Sequence, residues 1–200
     1  IAREHKIPFN TDAVQAAGYL RINVAEENID LLSMTAHKIH GPKGCGCLYI
    51  RKGVKIDNLI EGGAQERGKR AGTENVAGII GLDAALQNAV DTMEERSKKL
   101  TAMRNRLIDS LLKIERSRLN GDKEKRLPGN VNMCFEGIEG ESLLLKLDLN
   151  GISASSGSAC TSGSLSASHV LLALGLDKQT ALGSLRLTLD AENTMDEVKY

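Results

Sequence analysis

Two reactive side chains stand in settings that suit chemistry. Cys160 lies in the run SASSGSACTSGSLS, and from Ser153 to Ser168 every residue except Cys160 and Leu165 is Ser, Ala, Gly or Thr. That composition cannot pack a core and predicts a pliant polar loop. A thiol there is accessible and able to approach a ligand, whereas an inert structural cysteine sits among apolar side chains. The plainer alternative is a linker with an incidental thiol. Lys38 follows the apolar run IDLLSM through Thr35-Ala36-His37 and precedes Gly41-Pro42-Lys43-Gly44, which forces a turn. The amine is thereby expected at a strand end, where α/β sheets bind ligands, and desolvation there would make it nucleophilic. An isolated lysine beside a turn is otherwise an ordinary surface residue. The adjacent Thr35 and His37, both able to reach a phosphate or a ring, argue for the functional reading.

Three further sites carry charge or glycine at suggestive positions. Asp12 ends a predicted strand one βα unit before Lys38, and its carboxylate suits either a protonated ring nitrogen or a helix N-cap. The loop Gly62–Thr73, GGAQERGKRAGT, precedes a long helical pattern and suits a phosphate or subunit contact at a helix N-terminus. It lacks the Gly-Lys-Ser/Thr of a P-loop, and an ordinary surface loop is the alternative. Arg186, in SLRLTL, is costly in a strand unless paired. Its fork geometry matches a carboxylate, so an amino-acid carboxylate is a fitting partner; the alternative is an edge-strand arginine facing water.

The elements that must position these residues follow from periodicity. Strands are expected at 6–10, 30–35, 46–51, 130–135 and 184–189, and helices at 12–18, about 74–117, 140–148 and 168–174. The segment GCGCLYIR reads as a close-packed strand. In the long helix Leu100, Met103, Leu107, Leu111 and Ile114 fall on one face. Strands alternating with helices in the first third predict an α/β sheet, and the last third reads as a smaller α+β domain. The expected division is residues 1–95 and 96–200, with the cysteine loop at about 153–168. Both ends look cut. IAREHK reads as a helix tail, and the capping-box pattern Thr194-x-x-Glu197 comes just before Tyr200. The expectation is a fragment of a longer chain.

Composition narrows the function class. Lys+Arg and Asp+Glu are both 26, so charge offers no reason to expect nucleic acid or an anionic membrane as partner. Aromatics at 2% leave little for base stacking. No apolar run is long enough to span a bilayer and no basic-then-apolar leader opens the sequence, so a cytoplasmic protein is expected. The cysteines Cys45, Cys47, Cys134 and Cys160 make no paired CxxC set or disulfide framework. The Cys45-x-Cys47 spacing puts two thiols on one strand face, but structural zinc usually takes four ligands at loop spacings. No metal site is expected, and Cys45, Cys47 and Cys134 read as core residues.

The segments TDAVQ, TAHKIHGPKG, GGAQERGKRAGTENV, LPGNVN, GISASSGSACTSG with HVLLALG, and SLRLTL, in that order and over nearly the whole chain, are similar to those of the NifS/IscS-type cysteine desulfurases. These belong to the aminotransferase class V group and have the pyridoxal-phosphate (PLP) fold-type I architecture. The resemblance implies the C-terminal part of the large PLP-binding domain followed by a small α+β domain. It implies that Lys38 holds PLP covalently, that Asp12 pairs with the pyridine nitrogen, and that Gln15 bonds the ring hydroxyl. Thr35 and His37 would contact the phosphate, and Thr73 the phosphate of a second subunit, hence a homodimer. Arg186 would bind the carboxylate of L-cysteine. Cys160 would take the sulfur as a persulfide, leaving alanine, for an acceptor or iron–sulfur scaffold protein. The long SSGSAC loop is like that of the NifS/IscS branch.

Thr35 stands where serine is common, Asn10 where histidine is usual, and Asp190 where glycine is usual. Relatives carry a substantial stretch ahead of Ile1, which supplies another phosphate loop and a histidine stacked on the cofactor ring. The rival expectation is therefore that the 200-residue chain alone is a non-catalytic, partner-binding or structural module.

Overall fold

The computed structural model describes residues 1–156 and 167–200; Cys160 lies outside the described residues. The chain divides into two compact units, Ile1–Glu94 and Glu95–Tyr200.

In the first unit β1 (Asn10–Asp12) runs parallel to β2 (Leu31–Thr35), and β2 runs antiparallel to β3 (Gly46–Ile50). β2 is central. The strand expected at 6–10 starts later. Lys6 adopts φ 56°, and Pro8 has no N–H to donate, so the ladder begins beyond Phe9, whose N–H reaches Asp30 Oδ2 at 2.8 Å. Arg51 pins the same end of the sheet, bonding Asp30 Oδ1 at 2.9 Å and the carbonyls of Val24 and Ile29.

The helix expected at 12–18 is instead two successive turns. The N–H groups of Ala16 and Ala17 bond the Ala13 carbonyl, those of Tyr19 and Leu20 bond the Ala16 carbonyl, and Gly18 at φ 75° breaks the run. β3 is not close-packed as expected: Gly46, Cys47 and Leu48 are exposed. Gly46 has another cause, since a Cβ there would lie 2.8 Å from the Met34 carbonyl oxygen.

The single helix expected over about 74–117 is two, α2 (Val76–Asp91) and α3 (Met93–Leu111). They part at Thr92, which has φ −99° and ψ 0° and whose hydroxyl donates back to the Asn88 carbonyl at 2.8 Å. A hydroxyl that competes for the helix's own acceptors bends it.

The second unit is built on an antiparallel sheet in the order β4 (Ser117–Leu119), β5 (Asn130–Phe135), β6 (Ser184–Thr188). Period-2 alternation sends Val131, Met133 and Phe135 of β5 into a core with Ile108 and Leu185, flanked by Leu107, Leu111, Leu143, Leu144 and Leu147. The opposite face carries Cys134, packed with Leu171, Leu176 and Ala181. Leu100 and Met103 are buried as the apolar face of α3 requires, while Ile114 lies past the helix end and is half exposed.

The remaining helices are α4 (Gly140–Leu149), α5 (His169–Ala173), α6 (Lys178–Leu182) and α7 (Met195–Lys199), the last opened by the Thr194–Glu197 capping box. Two arginines hold the loop between β4 and β5. Arg104 donates to the carbonyls of Arg126 and Leu127, and Arg126 donates to those of Asn120, Asp122 and Asn130. Among the described residues, no helix is long and apolar enough to cross a membrane.

Candidate active site

The parallel β1–β2 pair brings two carboxyl ends to one edge of the first sheet. Asp12, the last residue of β1, stands opposite Ser33, and Thr35 closes β2 two residues later. The chain then makes the 3-10 turn Ala36–Ile39. Ala36 and Ile39 are fully buried, in one cluster with Leu82 and Ala89 of α2, which leaves His37 and Lys38 on the exposed side. The turn ends at His40 in the left-handed region, φ 65°.

Gly41 is small for a reason of space. A Cβ there would lie 2.9 Å from Ala36 Cβ and 3.0 Å from Ala85 Cβ, and one on Gly81 would lie 2.8 Å from Pro42 Cγ. Close approach of α2 therefore fixes the turn that presents Lys38. The amine follows directly on the end of β2, as expected, but it is exposed rather than desolvated.

Local bonding sets the states of the neighbours. The Thr35 hydroxyl lies within hydrogen-bond distance of both the Cys45 carbonyl, at 3.1 Å, and His37 Nδ1, at 3.0 Å, which ties the two side chains together. Asp12 Oδ1 accepts the Val14 N–H at 2.9 Å, closing a turn where the N-cap alternative required a helix. Gln15 is exposed.

Thr73 is exposed, three residues before α2, whose N-cap Asn75 accepts the Gly78 N–H at 3.1 Å. Upstream, the turn α1 (Gln65–Gly68) holds Glu66 and Arg67 at positive φ, 49° and 57°. It is tied down by Asn58 Nδ2 donating to the Gly68 carbonyl and by the Gly72 N–H donating to Gln65 Oε1.

In the second unit Arg186 lies on β6, opposite Asn132 of β5. Its other side meets Ser155: the Arg186 N–H donates to the Ser155 carbonyl at 2.6 Å and the Ser155 N–H to the Arg186 carbonyl at 3.1 Å. The Arg186 Nε is buried and has no hydrogen-bond partner among the described residues. An orphaned guanidinium nitrogen beside a strand invites an anion. Cys160 follows Ser155 by five residues and lies outside the described residues. The other cysteines divide: Cys134 is buried as expected, whereas Cys45 is half-buried and Cys47 is exposed. Burial pushes the Cys134 thiol up, and partial desolvation with the nearby Glu66 carboxylate pushes up that of the more exposed Cys47, so neither is an activated nucleophile.

The model of the aminotransferase class-V family matches residues 1–200. The chain belongs to the aminotransferase class-V family. This class-V chain is 57% identical over 203 residues to the cysteine desulfurase IscS of Clostridium botulinum strain Hall, a match covering 100% of the chain and 51% of that relative. A solved NifS-like protein superposes with a TM-score of 0.88 at 37% identity, covering 100% of the chain and 51% of the other. A NifS-like protein from Rickettsia africae superposes with a TM-score of 0.90 at 28% identity, covering 99% and 52%. The class-V chain thus spans about half the length of the curated relatives it matches, and its mixed α/β fold is that of the C-terminal part of a fold-type I enzyme.

In the first unit of this class-V chain sequence reasoning missed Gly81 and the packing role of Gly41, named only for its turn, and in the second it missed Ser155. Gly41 and Gly81 matter through contacts that only the tertiary fold creates. Ser155 was hidden in a polar run, although its offset from Cys160 is readable.

Proposed function

We propose that the full-length protein is a homodimeric, cytoplasmic, PLP-dependent cysteine desulfurase. It would convert L-cysteine to L-alanine and hold the sulfur on Cys160 for iron–sulfur cluster or thiocofactor biosynthesis. The observation that carries the reading is the edge formed by β1, β2 and the following turn, where Asp12, Thr35, His37 and Lys38 collect. That donor set fits PLP: an amine for the aldehyde, a carboxylate for the ring nitrogen, and hydroxyl and imidazole groups for the phosphate. Bound there, the cofactor would supply an electron sink for the charge left when the Cα proton departs.

The chain's own residues have distinct tasks in this reading. Lys38 anchors the cofactor. Asp12 favours the protonated pyridine nitrogen through its negative charge, and Gln15 bonds the ring hydroxyl. Thr35 and His37 hold the phosphate, and Thr73 reaches that of the second subunit. Arg186 takes the substrate carboxylate in a charge-assisted, bidentate contact. The Cys160 thiolate attacks the substrate sulfur. The Cβ–S bond breaks, Cβ keeps the electron pair and takes a proton to become the alanine methyl, and the sulfur leaves as the Cys160 persulfide. The sum, cysteine plus thiol giving alanine plus persulfide, needs no external oxidant. Covalent reach agrees, since five residues extend at most about 18 Å from Ser155, which is bridged to the Arg186 strand. Acceptor proteins would then collect the sulfur.

The test uses the full-length protein. Cys160→Ala should bind PLP yet form no persulfide, and Lys38→Ala should lack the visible absorbance of lysine-bound cofactor. Desulfuration by Cys160→Ala at the normal rate would sink the role of that thiol. The rival reading, a non-catalytic module, predicts no such absorbance from the 200-residue chain alone.

A further inference from the structure

Arg186 belongs to a cross-strand row whose bonding is unequal. Its N–H and carbonyl are both engaged by Ser155. The pair Asn132–Arg186 is therefore the non-hydrogen-bonded kind, in which opposing side chains lie closest. Beyond Asn132 comes Asn120, whose N–H donates to the Asn132 carbonyl at 2.9 Å and whose Nδ2 donates to Asn132 Oδ1 at 2.7 Å. Asn120 is buried, and the same Nδ2 also lies 3.1 Å from Cys134 Sγ, so this nitrogen is held by two acceptors while Asn120 Oδ1 is buried with no partner among the described residues.

Asn132 stands directly opposite Arg186 in the ladder and carries a neutral acceptor in its side-chain oxygen. That oxygen is held by Asn120, and Arg186 Nε has no partner among the described residues. We propose that Asn132, locked by Asn120, is a positioning residue that keeps the Arg186 guanidinium free of internal acceptors so that it can take the carboxylate of the amino-acid substrate. The physical point is competition. Any acceptor released beside the guanidinium would satisfy Nε and weaken the external ligand by the strength of that bond. This proposal rests on the reading of Arg186 as the carboxylate site.

The experiment compares Asn132→Asp, Asn120→Ala, Asn132→Leu and Arg186→Ala in the full-length, PLP-loaded enzyme. It measures KM and kcat for cysteine, the affinity for alanine by the change in cofactor absorbance, and the melting temperature. Asn132→Asp should raise KM by tenfold or more, since it places an anionic acceptor across from the guanidinium. Asn120→Ala should raise it severalfold, by releasing the Asn132 oxygen. Asn132→Leu, with no acceptor, should raise it least, and KM should move more than kcat throughout. A structural role predicts the reverse order, with the near-isosteric Asp harmless and Leu the most damaging, and that result would overturn the proposal. A raised KM in Arg186→Ala with none in Asn132→Asp removes the role of Asn132 alone. An unchanged KM in Arg186→Ala removes the carboxylate site, and this proposal with it.

Discussion

Ser155 and Arg186 exchange both of their backbone hydrogen bonds, at 3.1 and 2.6 Å, across an isolated antiparallel bridge. Ser155, five residues before Cys160, is thereby fixed to the strand that carries Arg186, whose Nε is buried without a partner among the described residues. In the proposed desulfurase, the residue that takes the substrate carboxylate and the root of the segment bearing the thiol are joined by one pair of backbone hydrogen bonds.

Breaking that bridge should therefore affect substrate use. Ser155→Pro removes the N–H that donates to the Arg186 carbonyl. A typical net hydrogen bond is worth about 0.5–1.5 kcal/mol, or roughly two- to tenfold in an equilibrium. We expect kcat/KM for cysteine to fall by at least that factor, with PLP absorbance retained. Unchanged kinetics would show that the bridge is dispensable.

Gly41→Ala tests the packing beneath Lys38. The new methyl would meet Ala36 Cβ, the Ala36 carbonyl oxygen and Ala85 Cβ at 2.9–3.0 Å, and none of these is the far end of a flexible side chain. Overpacking of this kind costs about 1–3 kcal/mol. A lower urea midpoint, with weakened PLP binding, is expected; an unchanged midpoint would mean that α2 can yield.

Acid stability should depend on three capping carboxylates. Hydrogen bonds from Thr180 hold Asp177 below the usual carboxylate range, those from Lys125 and Glu124 do so for Asp122, and that from Thr194 does so for Glu197. Depressed folded values mean that their stabilisation is complete above the unfolded values of about 4 and is lost as pH falls through the folded ones. The triple variant Asp177→Asn, Asp122→Asn, Glu197→Gln should flatten the decline of the denaturation midpoint below about pH 4. A decline as steep as the wild type's would refute the assignment.

Cys134 should resist modification. It is fully buried, and burial pushes its thiol up, only partly offset by the Asn120 hydrogen bond and the positive Arg118. A water-soluble alkylating reagent at pH 8 should label it only after denaturation, as peptide mass mapping would reveal. Rapid labelling of the folded protein would contradict this.

The sequence carried the strands well where alternation was clean, as in β5, where Val131, Met133 and Phe135 face one core. It failed where a single local group overrides the pattern. Thr92 divides a continuous helical period by bonding backward, and Gly18 halts a run of good helix formers. β4 is only three residues long, too short to register a period. The site was partly legible because Asp12, Thr35, His37 and Lys38 cluster near strand ends. The contributions of Asn120, Asn132 and Ser155 come from register across strands, which no single-chain spacing encodes.

The loop between β4 and β5 is held by two guanidinium groups that bond almost entirely to carbonyl oxygens. Burial lowers the basicity of both, and for Arg126 the repulsion from Arg104 outweighs the pull of Asp122. Added salt would screen this repulsion while leaving the carbonyl contacts largely intact. The same loop is also tied to α3 by the Lys123–Asp109 ion pair at 2.9 Å, which salt weakens as it relieves the repulsion, so the carbonyl contacts are what hold the loop at any ionic strength.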